Sequence, residues 1–91
     1  MQTNEVETGQ LEELLATTYL NMAQCFFQTQ QYQKSVEKAT LSLGFRRSTK
    51  ALFRRAMSGA ARKDYEGAIK DLEEALTLEQ GNPDQQMTHT I

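Results

Sequence analysis

Four helices and no sheet are what the sequence predicts: an all-α chain of four antiparallel helices arranged as two similar pairs. Three observations carry that prediction. Apolar residues recur at spacings of three and four along most of the chain. The one proline, Pro83, lies close to the end, so helices can run unbroken before it. No alternating run of Val, Ile and Thr marks a strand.

The first periodic segment spans 10–28, with Leu11, Leu15, Tyr19, Met22 and Phe26 forming one stripe. Asn4 with Glu7 three residues on is a candidate capping start. Thr8 is the preferred one, because the stripe begins at Leu11. After "QTQQ", a second helix is expected over 32–43, with Tyr32, Val36, Ala39 and Leu43 in register and Gly44 as a left-handed C-cap. Ser48 can cap a third helix, from Thr49 to about Arg62. Asp64 can cap a fourth, which turns Ala68, Ile69, Leu72, Ala75 and Leu76 inward and pairs Glu66 with Lys70 outside. Gly81 and Pro83 stop it. The organisation expected is an N-terminal extension (1–9), a helical domain (10–80, as pairs 10–44 and 48–80) and a disordered tail (81–91).

The two pairs resemble one another. Tyr32 in the first corresponds to Tyr65 in the second, and Ser35 with Ala68, Val36 with Ile69, Ser42 with Ala75 and Leu43 with Leu76 follow the same offset. An offset as long as that from Tyr32 to Tyr65 belongs to solenoid repeats.

Composition narrows the function classes. A hydrophobic share of 38% is low for a closed globule and ordinary for an open helical array. Cys25 is the sole cysteine, so no internal disulfide and no thiol-based metal site can form, and it reads as a small buried packing residue in a reducing compartment. No apolar run approaches the roughly 20 residues of a membrane span. The polar, acidic start "MQTNEVETGQ" is unlike a targeting peptide, so a cytoplasmic location, or a nuclear one, is expected. His89 stands in the tail without a Ser, Cys or Asp partner in reach. Glu12/Glu13 and Glu73/Glu74 are adjacent pairs that point to different sides and read as solvated surface. No catalytic residue, cofactor or metal is therefore expected.

The charge is segregated. The net charge is −2, yet residues 46–63 hold seven cations (Arg46, Arg47, Lys50, Arg54, Arg55, Arg62 and Lys63) and no acid. A solvated helix face is the plain reading of such a run. Arg62 and Lys63 also suit the negative end of a helix dipole. Nucleic-acid binding is disfavoured by the overall charge and by the lack of interleaved exposed aromatics.

The paired pattern resembles the tetratricopeptide repeat. Ala23 and Ala56 match its small residue where the helices of a repeat approach closely, Tyr32 and Tyr65 its turn aromatic, and Ser35, Ala68, Ser42 and Ala75 the small residues of its second helix. More narrowly, "YLNMAQCFF" followed by "STKALFRRA" is similar to the last two repeats of immunophilin co-chaperones, the larger cyclophilins and FK506-binding proteins, over roughly 11–83. The resemblance implies two helix-turn-helix repeats of an α-solenoid. It also implies a non-catalytic module whose concave face grips the acidic Glu-Glu-Val-Asp tail of heat-shock chaperones through a carboxylate clamp. Asn21 matches the clamp asparagine of the middle repeat, and Lys50 and Arg54 the lysine and arginine of the last. On the same implied face lie Gln24, and Phe27, Phe53 and Met57, the last three able to seat a peptide's aliphatic side chain. Arg55, one position round, is expected to face its own repeat's partner helix or solvent.

The family's first repeat and its C-terminal capping helix have no counterpart here. The chain thus corresponds to part, or a reduced form, of a three-repeat domain, with any isomerase activity belonging to another domain. Uncovered flanks are expected to drive self-association. An adaptor for an unrelated protein partner remains the alternative reading.

Overall fold

A computed structural model describes residues 5–80. They form four helices: α1 (Glu5–Gln28), α2 (Tyr32–Phe45), α3 (Thr49–Ala61) and α4 (Tyr65–Gln80). Among the described residues there is no strand. The expected cap Asn4, the stop at Gly81 and Pro83, His89 and the tail 81–91 lie outside them.

Each helix packs on the next, α1 also touches α3, and α4 approaches α3 alone among the described residues. Hydrogen bonds fix the directions. Ser35 Oγ donates to the Ala23 carbonyl (2.8 Å) and Ser42 Oγ to that of Ala16 (2.7 Å). Two turns forward on α2 are therefore two turns back on α1, an antiparallel pair. α2 and α3 are antiparallel too: Ser35 meets Ser58, Thr40 meets Arg55, and Leu43 packs with Leu52.

The core is built mainly of small side chains. Ala16, Ala23, Ala39, Ala51, Ala56 and Ala68 are buried with Ser35, Ser42 and Ser58; Leu43 and Leu52 are the large apolar residues buried with them. Small residues let backbones approach closely enough for a serine on one helix to reach a carbonyl on another. The apolar stripe of α1 is therefore not its buried line: Leu11 (56% exposed) and Met22 (37%) face outward, while Ala16 and Ala23 make the contact. Leu15, Tyr19 and Phe26 flank that contact, half-buried. On α4, Ala68 is buried and Ala75 half-buried, whereas Ile69, Leu72 and Leu76 are exposed, because no further helix covers them among the described residues.

The helix ends are read from the same chemistry. Ser48 accepts from the Ala51 amide (3.1 Å) and caps α3, and Asp64 Oδ1 accepts from the Gly67 amide (3.1 Å) and caps α4, both as the sequence predicts. α1 already includes Glu5, ahead of Thr8. Gly44 is no left-handed cap: α2 runs on through Phe45 and stops at Arg46 in extended conformation (φ −156°). Phe45 stacks on Tyr19 with ring centroids 5.9 Å apart, which holds that extra turn down.

The α1–α2 and α3–α4 turns are copies of each other. Gln30 (φ 63°) and Lys63 (φ 68°) are both left-handed. The Gln31 amide donates to the Phe26 carbonyl and the Asp64 amide to that of Gly59, each at 2.8 Å. These are Schellman closures, and every member is set off from its counterpart as Tyr65 is from Tyr32.

Candidate functional site

α1 and α3 run side by side, and a contact between Phe27 and Arg54 links them. The Arg54 guanidinium lies over the Phe27 ring, 4.9 Å from its centroid. Phe27 is in turn held edge-on against Tyr32 at 5.5 Å. The rigid ring gives a half-buried arginine a fixed seat at the surface. Lys50, one turn earlier on the face that carries Arg54, is exposed. Phe53 (50% exposed) and Met57 (39%) continue that face as open apolar surface.

The remaining candidates divide among separate hollows. Lys50 and Phe53 line an open groove between α3 and α4 with Thr49, Ala75, Leu76 and Glu79. Lys50 also edges a hollow formed by Ala16, Thr17, Leu20, Ser42 and Arg46. Asn21 is exposed and lines a third hollow, on the outer side of α1, with Thr18, Met22, Cys25 and Phe26. The structure thus joins Arg54 to Phe27 and Lys50 to Phe53. Asn21 shares its hollow with neither cation, and Gln24 is exposed on α1. Cys25 is also exposed, not the buried packing residue expected. The small buried group at the corresponding place on α3 is Ser58.

The basic run is not one free patch. Arg55 forms a two-point pair with Asp71 on α4 (2.8 and 2.7 Å) and reaches Thr40 on α2 (3.3 Å). Its guanidinium is held protonated by that hydrogen-bonded carboxylate, burial opposing. Arg55 therefore faces its partner helix, as expected. Arg47 is not simply a solvated cation: it clamps Glu74 of α4 with both ends of its fork, one bond at 2.8 Å. Glu74 is accordingly no plain solvated acid. The arginine hydrogen bond holds its carboxyl below the ordinary value. Arg46 reaches back to the Gly9 carbonyl (3.3 Å). Sequence reasoning missed Asp71. Its signal was an acid, one position before Leu72, on the face of α4 that turns toward Arg55.

Chemically, the surface offers cations beside aromatic and thioether groups, an arrangement that takes carboxylates with apolar neighbours. Among the described residues no group of three His, Cys, Asp or Glu is placed to hold a metal ion. None of the described helices is long and apolar enough to cross a membrane. No protein-family model matches the chain, and no solved structure matches it significantly.

Proposed function

We propose that this chain is a non-catalytic, tetratricopeptide-type interaction module that binds an acidic C-terminal peptide, of the kind ending Glu-Glu-Val-Asp on heat-shock chaperones. Arg54 fixed on Phe27, with exposed Lys50 one turn before it, is the observation that carries the reading. Two cations stacked on one face suit two carboxylates, and Phe53 and Met57 beside them suit an aliphatic side chain. Asn21 belongs to the clamp only as the resemblance implies: its amide lines the outer hollow of α1, apart from both cations. The repeated turns and the repeated small residues at Ala23 and Ala56 support the tetratricopeptide assignment. The internal pairing of Arg47 and Arg55 favours a peptide over a nucleic acid, because it removes two charges from the basic run.

Titration with a free-acid and an amidated peptide of that ending tests the proposal. The free acid binds weakly but measurably, and the amide binds less. Arg54→Ala weakens binding by about 10- to 100-fold, the worth of a charge-assisted hydrogen bond. Lys50→Ala behaves similarly, and Arg62→Ala changes little. Equal binding of acid and amide, or equal losses at Arg54 and Arg62, defeats it.

A further inference from the structure

The groove between α3 and α4 is a second copy of an occupied seat. In the occupied one, where α3 packs on α2, Ala16, Thr17, Leu20, Ser42 and Arg46 line a hollow together with Ser48 and Lys50, the beginning of α3. In the open one, Thr49, Lys50, Phe53, Ala75 and Glu79 hold the same places, each displaced along the chain by the interval from Tyr32 to Tyr65. Leu72 (42% exposed) and Leu76 (55%) stand where Ala39 and Leu43 are buried under α3. The chain therefore shows what this kind of seat receives: a helix with the contact face of α3.

The described residues hold one other such face. The side of α3 that enters its seat carries Ala51, Arg55 and Ser58. The corresponding side of α1 carries Thr18, Met22 and Cys25, which line the outer hollow of α1 and are all exposed. Leu14 (63% exposed) extends that side toward the start of α1. Counting from Glu5, α1 has four acids and no base, so two such helices repel, whereas the open seat carries one cation, Lys50, beside one acid, Glu79.

We infer that the open α3/α4 groove docks the outer face of α1 from a second copy of this chain, head to tail, reproducing between molecules the contact that joins the two halves within one. The contact is heterologous: each copy uses one groove and one α1 face, and nothing closes it at two copies. The inference stands on the internal repeat alone and not on the peptide proposal.

Sedimentation of the full chain over a range of concentrations tests it, together with Leu76→Glu, which spoils the groove, and Met22→Glu, which spoils the docking face. Both positions are exposed in the single chain, and circular dichroism verifies that helicity is kept; Leu72→Glu and Leu14→Lys replace either variant that loses it. The wild-type mass is expected to climb with concentration past two copies. Each variant alone stays monomeric, and a mixture of the two forms a pair that grows no further, since one intact groove then meets one intact face. A wild-type chain that stays monomeric to millimolar concentration, one that stops at a dimer, or folded variants that fail to complement on mixing would overturn the inference.

Discussion

Ser35 Oγ lies 2.7 Å from Ser58 Oγ, at a point where α1, α2 and α3 meet. Ser35 also reaches the Ala23 carbonyl (2.8 Å) and Ser58 the Arg54 carbonyl (2.9 Å). Two hydroxyl protons serve three contacts, so one contact is always without a proton of its own. The consequence is strong coupling. Ser35→Ala removes two contacts but leaves Ser58 satisfied by Arg54, and is expected to cost about 0.5–1.5 kcal/mol. Ser58→Ala leaves Ser35 donating to Ala23 and costs less. The double substitution is expected to cost scarcely more than Ser35→Ala, because the second half already runs with Ala68 in the place of Ser35. Urea unfolding of all four chains measures the cycle, and strictly additive losses would show that the network is not shared.

Glycine sits where the helix does not need it and is missing where the turn does. Gly44 lies inside α2, and a methyl group there meets nothing within 4 Å. Gly44→Ala is therefore expected to stabilise the chain by about 0.5–1 kcal/mol. Lys63 holds a left-handed conformation with a side chain that disfavours it. Lys63→Gly relieves roughly 1 kcal/mol of that strain, offset in part by the greater freedom of glycine in the unfolded chain. Thermal melts are expected to rank Gly44→Ala highest, with Lys63→Gly at or slightly above the parent. A drop for Gly44→Ala would mean that α2 does not continue to Phe45.

The helices were legible because spacing, caps and turns agree along the chain: Ser48 and Asp64 sit where they cap. The faces were less legible. A stripe of large apolar residues such as Leu11 and Met22 marks a helix, but in this packing the buried line follows alanine and serine, which carry no strong hydrophobic signal. Exposure of Leu72 and Leu76 depends on what lies beyond α4, which no local pattern reveals. Among the candidate residues, spacing alone put Lys50 and Arg54 together. The seat of Arg54 on Phe27 joins α3 to α1 across the whole of α2, so it required the fold. Asp71 was hidden for the same reason, as its partner Arg55 lies on another helix.

Glu74 should report the attachment of α4 to the connection before α3. Its carboxyl is held below the ordinary value of 4.5 by the Arg47 hydrogen bond. A depressed carboxyl stabilises the fold above its unfolded value and loses that contribution as pH falls through the folded one. The contact is therefore intact at neutral pH and is lost only below the ordinary carboxylate range. Carboxyl NMR titration should place Glu74 low in the parent chain and return it toward 4.5 in Arg47→Ala. An unchanged midpoint in that variant would show that something other than Arg47 holds the proton off.

Phe27 is expected to matter to binding through Arg54 rather than by touching the peptide first. Its ring contributes a cation–π contact with Arg54 and an edge contact with Tyr32. Phe27→Leu keeps apolar bulk and removes both, so it should lower stability by about 1–2 kcal/mol. Tyr32→Leu removes only the edge contact and should cost about 0.5–1.5 kcal/mol, leaving Arg54 seated. The two variants therefore separate packing from positioning. Freed from its ring, Arg54 must be ordered at the moment of binding, a cost of about 0.5–1.5 kcal/mol that weakens the acidic peptide roughly two- to tenfold in Phe27→Leu. Tyr32→Leu should bind like the parent once folded. Calorimetric titration of both at a temperature where each is fully folded decides it: equal affinities for Phe27→Leu and the parent would show that the ring does not prepare the arginine.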